Sequence, residues 1–144
     1  MPNRTVSPAR RKHGEKGHAV IEVALLAPWI FLLFAAVFDF GFYMYAAISV
    51  QNAARVAALR LSESTAAAGS TTLAQNYACA ELSMLPNIGS TCPNSSVSIT
   101  PTIVTGPDGR SAVQVAINYT TIQLFPLPFL TGQWRFQRIA EAKI

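Results

Sequence analysis

Residues 19–50 are almost wholly apolar, broken only by Glu22, Asp39, Ser49 and Pro28. No other stretch restricts the fold as much. A helix crossing a bilayer needs about 20 apolar residues, and Ala19 to Phe38 suffices. A secretory signal peptide would have a core of only about 7–15 apolar residues and a small-residue cleavage site after it. Here the run is longer, and Phe40, Phe42, Tyr43 and Tyr45 follow it, so the segment reads as a retained span. Composition agrees: 51% of residues are hydrophobic and only 12% are charged, the balance of a membrane protein. The net charge of +4 belongs to the leader, where Arg4, Arg10, Arg11, Lys12 and Lys16 face only Glu15. Such an excess of Lys and Arg keeps a flank cytoplasmic, so the C-terminal region is expected outside. A basic arm for nucleic acid is the rival reading, but no aromatic or basic face follows it.

The chain divides into a leader, 1–17, a transmembrane and amphipathic helix, 18–62, and an exported domain, 63–144. The leader carries Pro2 and Pro8 without apolar periodicity and is expected to be disordered. The long helix should run from His18 to Leu61. Its first half is apolar all round, as lipid or tightly packed neighbours require. In its second half Tyr43, Ala47, Val50, Ala54, Ala57 and Leu61 form one stripe, expected to pack on the protein's own sheet. Ala53, Ala54, Ala57 and Ala58 leave little bulk, so close approach of a second helix is the rival reading. Pro28 removes one backbone hydrogen bond inside the span and should kink or loosen it.

Ser62 to Thr72 is a Ser/Thr/Ala/Gly linker. Leu73, Tyr77, Ala80 and Met84 predict a short second helix that stops before Pro86. Asn87 to Ser96 is a loop. Val97, Ile99 and Ile103 alternate with polar residues, Gly106 to Gly109 is a turn, and Val113, Val115, Ile117 and Tyr119 mark a half-buried strand. Phe125 to Leu130 carries two prolines and is an apolar loop. Trp134 and Phe136 open a last strand, with Arg135, Gln137, Glu141 and Lys143 on its other face. The expected fold is α+β: a long N-terminal helix, a short second helix and a small antiparallel sheet.

Enzymatic chemistry is not expected. His13 and His18 are the only histidines, which excludes an outer Ser/His/Asp or Cys/His site and argues against a metal site. Glu63, Glu81, Asp108 and Glu141 read as solvated carboxylates, and there is no phosphate loop or dinucleotide fingerprint, so no cofactor is implied. Cys79 and Cys92 both fall in the exported part, where an oxidising compartment makes a disulfide the default. Asn94-Ser95-Ser96 and Asn118-Tyr119-Thr120 match the N-glycosylation pattern and are read as chance.

Gly17 is followed at once by His18, and Glu22 is the fifth residue past the glycine. A charge at the centre of a span costs about 2.5–3.5 kcal/mol, and less near an edge. This junction is similar to that of prepilins and pseudopilins. With Asp39-Phe40-Gly41 and Gln51-Asn52-Ala53-Ala54-Arg55, the segment from about residue 14 to 62 resembles the TadE-like minor pseudopilins of tight-adherence pilus systems. Phe42 stands where an Arg often follows the first motif, and Val56 where Glu-Gly is common after the second. The resemblance implies a pilin-like fold and cleavage by a prepilin peptidase between Gly17 and His18. It implies that the Glu22 carboxylate meets an N-terminal amine, its own or a neighbour's. The implied partners are that peptidase, other pseudopilins and pilin subunits, the inner-membrane assembly platform and lipid, with no nucleic acid. The implied place is the bacterial inner membrane, single-pass, with the C-terminal domain outside or in the pilus. The implied role is structural, in pilus assembly and surface attachment.

Bland readings stand beside these. Glu22 would be an acid among headgroups at the inner interface. Asp39 lies 17 residues further on, about 25 Å of helix, which puts it near the outer edge of the span as a solvated boundary acid or a subunit contact. An uncleaved single-span protein with an outer binding domain is the alternative, and the mature N-terminus separates the two.

Overall fold

The computed structural model describes residues 15–89, 91–106, 108–125 and 132–144, with the side chains of 15–17 left aside. The leader up to residue 14, Pro107 of the expected turn and most of the proline-containing apolar loop lie outside the described residues. The element order is α1 (Glu15–Leu61), α2 (Thr65–Ala68), α3 (Thr71–Leu82), β1 (Val97–Thr105), β2 (Ser111–Thr120) and β3 (Arg135–Lys143). The fold is α+β. The chain forms two compact units, one ending at Val37 and the other running from Phe38 to Ile144.

In the first unit the helix is continuous through Pro28. Its large apolar side chains, from Val20 to Val37, stand exposed nearly all round. A helix hydrophobic on every side and unburied by its own chain is suited to lipid. His18–Leu61 is long and apolar enough to cross a membrane.

In the second unit the C-terminal half of α1 is two-sided. Ala46, Val50, Ala53, Ala54, Ala57 and Leu61 are fully buried. They share one core with Val113, Val115, Ile117 and Tyr119 of β2, so this stripe serves the protein's own core. Ser64 and Ser70 cap the next two helices, their hydroxyls accepting from the Ala67 and Leu73 N–H groups. The short helix α2 falls inside the stretch expected to be linker. The expected second helix forms as α3 but presents another face. Ala74, Ala78 and Leu82 are buried, whereas Leu73, Tyr77 and Met84 are exposed. Alanines let α3 lie close on β1, and that close approach outweighs the bulk of the larger residues.

The sheet is antiparallel in the order β1-β2-β3. Val97 pairs with Tyr119, Pro101 with Val115, and Ala140 also with Val115. Pro101 is tolerated because β1 is an edge strand. Gly109, at φ 75°, supplies the left-handed residue of the β1–β2 turn. Lys143 Nζ reaches Asp108 Oδ2 at 2.6 Å across the same end.

The segment between α3 and β1 is fastened in three ways. Cys79 and Cys92 are at disulfide-bonding distance, with Cα atoms 5.7 Å apart. Leu85 and Ile88 enter the core. Asn87 donates to the Thr120 carbonyl at 2.9 Å, and the buried Tyr119 hydroxyl donates to Asn87 Oδ1. Asn94 then donates to the Asn87 carbonyl at 3.0 Å.

Candidate functional site

The N-terminal junction is built from one helix. His18 and Glu22 are four residues apart on α1, hence on one face, and both are exposed. The helix begins at Glu15, not at His18 as expected, so the Gly17–His18 bond lies in its first turn. The first four N–H groups of a helix have no intrahelical partner, and helix ends fray. That bond therefore sits in the part of α1 that is easiest to unwind.

Asp39 occupies a second locus. Its Oδ1 accepts from the backbone N–H of Leu124 at 3.0 Å and of Phe125 at 3.2 Å. These residues leave β2 more than 80 positions later in the chain. One turn beyond Asp39, Tyr43 meets Trp134 edge-on at 5.9 Å and Phe136 at 5.4 Å. Phe136 in turn meets Tyr119 at 5.5 Å. Thr121 closes the base of the β2–β3 connection: its N–H donates to the Trp134 carbonyl at 2.9 Å, and its hydroxyl accepts from the Trp134 N–H at 3.3 Å. The Asp39 hydrogen bonds were not foreseen. A carboxylate bound by backbone N–H groups leaves no charge partner in the sequence to find.

A third locus is the far side of α1. Tyr45, Ile48, Asn52, Arg55 and Leu59 recur at alternating steps of three and four residues, and all are exposed. They lie opposite the alanine stripe, so the structure gives α1 one face for its own core and leaves another uncovered by the described residues.

The carboxylates beyond α1 are dispersed. Glu63 pairs with Arg60 at 3.1 Å, and Asp108 is held below the usual carboxylate range by Lys143 and the Arg110 N–H. Glu81 and Glu141 are exposed on α3 and β3. Burial pushes the Tyr119 hydroxyl above its ordinary value, against the opposing pull of Asn87.

The chain was also compared with known proteins. No curated protein and no solved structure matches it significantly. The model of one family, described as TadE-like protein, matches residues 17–59, short of half the chain. The match begins at Gly17 and covers the part of α1 that carries Glu22, Asp39 and the exposed stripe, so over residues 17–59 the chain is similar to the TadE-like family.

Proposed function

We propose that the chain is a minor pseudopilin: a membrane-anchored structural component required for assembly of tight-adherence pili and, through them, for surface attachment. The observation that carries this reading is the junction itself. Gly17, His18 and Glu22 stand at the head of an unbroken apolar helix, and the TadE-like match starts at the same glycine. In this reading a prepilin peptidase frays the first turn of α1 and cuts after Gly17. His18 then begins the mature chain with a new α-amine. Glu22 lies one turn on, about 6 Å along the axis. A carboxylate costly to hold in lipid gains a cation there, and their attraction is far stronger than in water.

The chain acts as substrate and building block, not as catalyst. The leader stays in the cytoplasm and residues 63–144 are exported. The uncovered stripe from Tyr45 to Leu59 is where a helix of another pilus subunit packs. Its apolar members Tyr45, Ile48 and Leu59 supply the contact area, and Asn52 and Arg55 set the register.

The test is Glu22→Ala. The substitution removes an acid from the span, so membrane insertion should be at least as good as before. Pili should nevertheless be lost, because the amine of His18 has no partner. Normal piliation and adhesion in Glu22→Ala cells would reduce the carboxylate to an interface residue and remove the main support for this function.

A further inference from the structure

We propose that the Leu124–Phe125 and Trp134 end of the outer unit is a foot that rests in the outer leaflet of the bilayer crossed by α1. The inference rests on the reading of α1 as a membrane span and goes beyond it, because it assigns a second, separate membrane contact to residues of the β2–β3 connection.

Three observations lead there. First, Leu124, Phe125 and Trp134 are large and apolar, yet 41%, 38% and 59% exposed. Second, they are held at one level of α1. Asp39 binds the Leu124 and Phe125 N–H groups, and Tyr43 packs against Trp134. These two helix positions come directly after Ala19–Phe38, a stretch already long enough to cross a bilayer. Tyr and Trp prefer the zone where one end of the ring is apolar and the other wet. Third, charge is distributed unevenly. No charged residue occurs between Arg110 and Arg135, so the strand and connection leading to the foot are uncharged. Asp108, Arg110, Glu141 and Lys143 gather towards the opposite end, at the β1–β2 turn. Arg135, beside Trp134, is placed to meet lipid phosphates as the apolar residues enter the interface.

Asp39 then has a stated role. It fastens the foot to the helix, and in doing so satisfies a carboxylate that would otherwise be costly at the edge of a span.

The chain has two tryptophans, Trp29 in the span and Trp134 in the foot, and each can be read alone. Trp29→Phe leaves Trp134, and Trp134→Phe leaves Trp29. The full chain is reconstituted in phosphatidylcholine–phosphatidylglycerol vesicles containing lipids brominated either near the headgroup or near the chain end. Trp134 should be quenched more by the shallow bromines than by the deep ones, and be shielded from aqueous iodide. Trp29, about 15 Å further down the helix than Asp39, should show the reverse preference for bromine depth. Quenched Trp29 with iodide-accessible, unquenched Trp134 overturns the foot and leaves the span intact. Loss of lipid quenching at both tryptophans overturns the span and the foot together. Asp39→Ala should reduce the shallow quenching of Trp134 and leave Trp29 unchanged, whereas Asp39→Asn, which keeps an acceptor oxygen, should retain it. Unaltered Trp134 quenching in Asp39→Ala would show that Asp39 does not fasten the foot.

Discussion

Breaking the Cys79–Cys92 link measures how the outer unit keeps its least regular segment folded. Cys79 lies on α3 and Cys92 in the connection to β1, 13 residues later. A cross-link over this separation removes loop-closure entropy from the unfolded chain worth about 3 kcal/mol. The native side should change little, because the same segment is anchored by other means. Leu85 and Ile88 are buried at 2% exposure, and Asn87 and Asn94 hold backbone carbonyls at 2.9 and 3.0 Å. The double variant Cys79→Ser/Cys92→Ser should therefore fold and lose about 2–4 kcal/mol, a large part of the 5–15 kcal/mol typical of a domain. The assay is urea unfolding of the full chain in nanodiscs, followed through Trp134 in a Trp29→Phe background. The midpoint should fall with little change of slope, and proteolysis between α3 and β1 should accelerate. A loss under about 0.5 kcal/mol would refute the entropic argument and assign the hold on the segment to Leu85, Ile88 and the asparagines alone. Two free thiols in freshly isolated, alkylated protein would contradict export of this region.

Three further predictions rest on Tyr119 and Asp108. Tyr119→Phe keeps the buried ring but leaves Asn87 Oδ1 without its donor, so stability should fall by about 1–3 kcal/mol, and an unchanged urea midpoint would show the bond to be dispensable. The same variant should be less sensitive to alkali: the raised Tyr119 value means its contribution is complete below the ordinary tyrosine range and lost as pH rises through the folded-state value. Asp108 is shifted the other way, so its contribution with Lys143 is present above the ordinary carboxylate range and lost as pH falls through the depressed value. The stability difference between wild type and Asp108→Asn should accordingly vanish on acidification, and a difference constant with pH would show that this ion pair does not contribute.

The parts legible in the sequence are those written in a single local period. The apolar run and its aromatic edge gave α1, the alternation from Val113 to Tyr119 gave the central strand, and Gly106 to Gly109 gave the turn. What was not legible depends on contacts made across the chain. The spacing of Leu73, Tyr77, Ala80 and Met84 predicts the helix α3 but not its buried face: small residues decide how closely a helix can approach a strand, and Ala74 and Ala78 are the ones buried. Inside the expected linker, Ser64 caps a helix of only four residues, too short to show a period. Asp39 is the clearest case: it reads as a boundary acid, whereas its partners are two backbone N–H groups from Leu124 and Phe125. Side-chain identity carries no record of such a bond. The spacing of Gly17, His18 and Glu22 is local and so can be read from the sequence alone; the structure adds that all three lie on α1.

The central claim, that this chain is processed and assembled as a pseudopilin, is tested most directly by the mature N-terminus. Intact-mass analysis and N-terminal sequencing of protein extracted from membranes of cells that express the cognate prepilin peptidase should give a chain beginning at His18. A chain that still carries Met1 and the basic leader in those cells would contradict it, and would favour an uncleaved single-span protein with an outer binding domain.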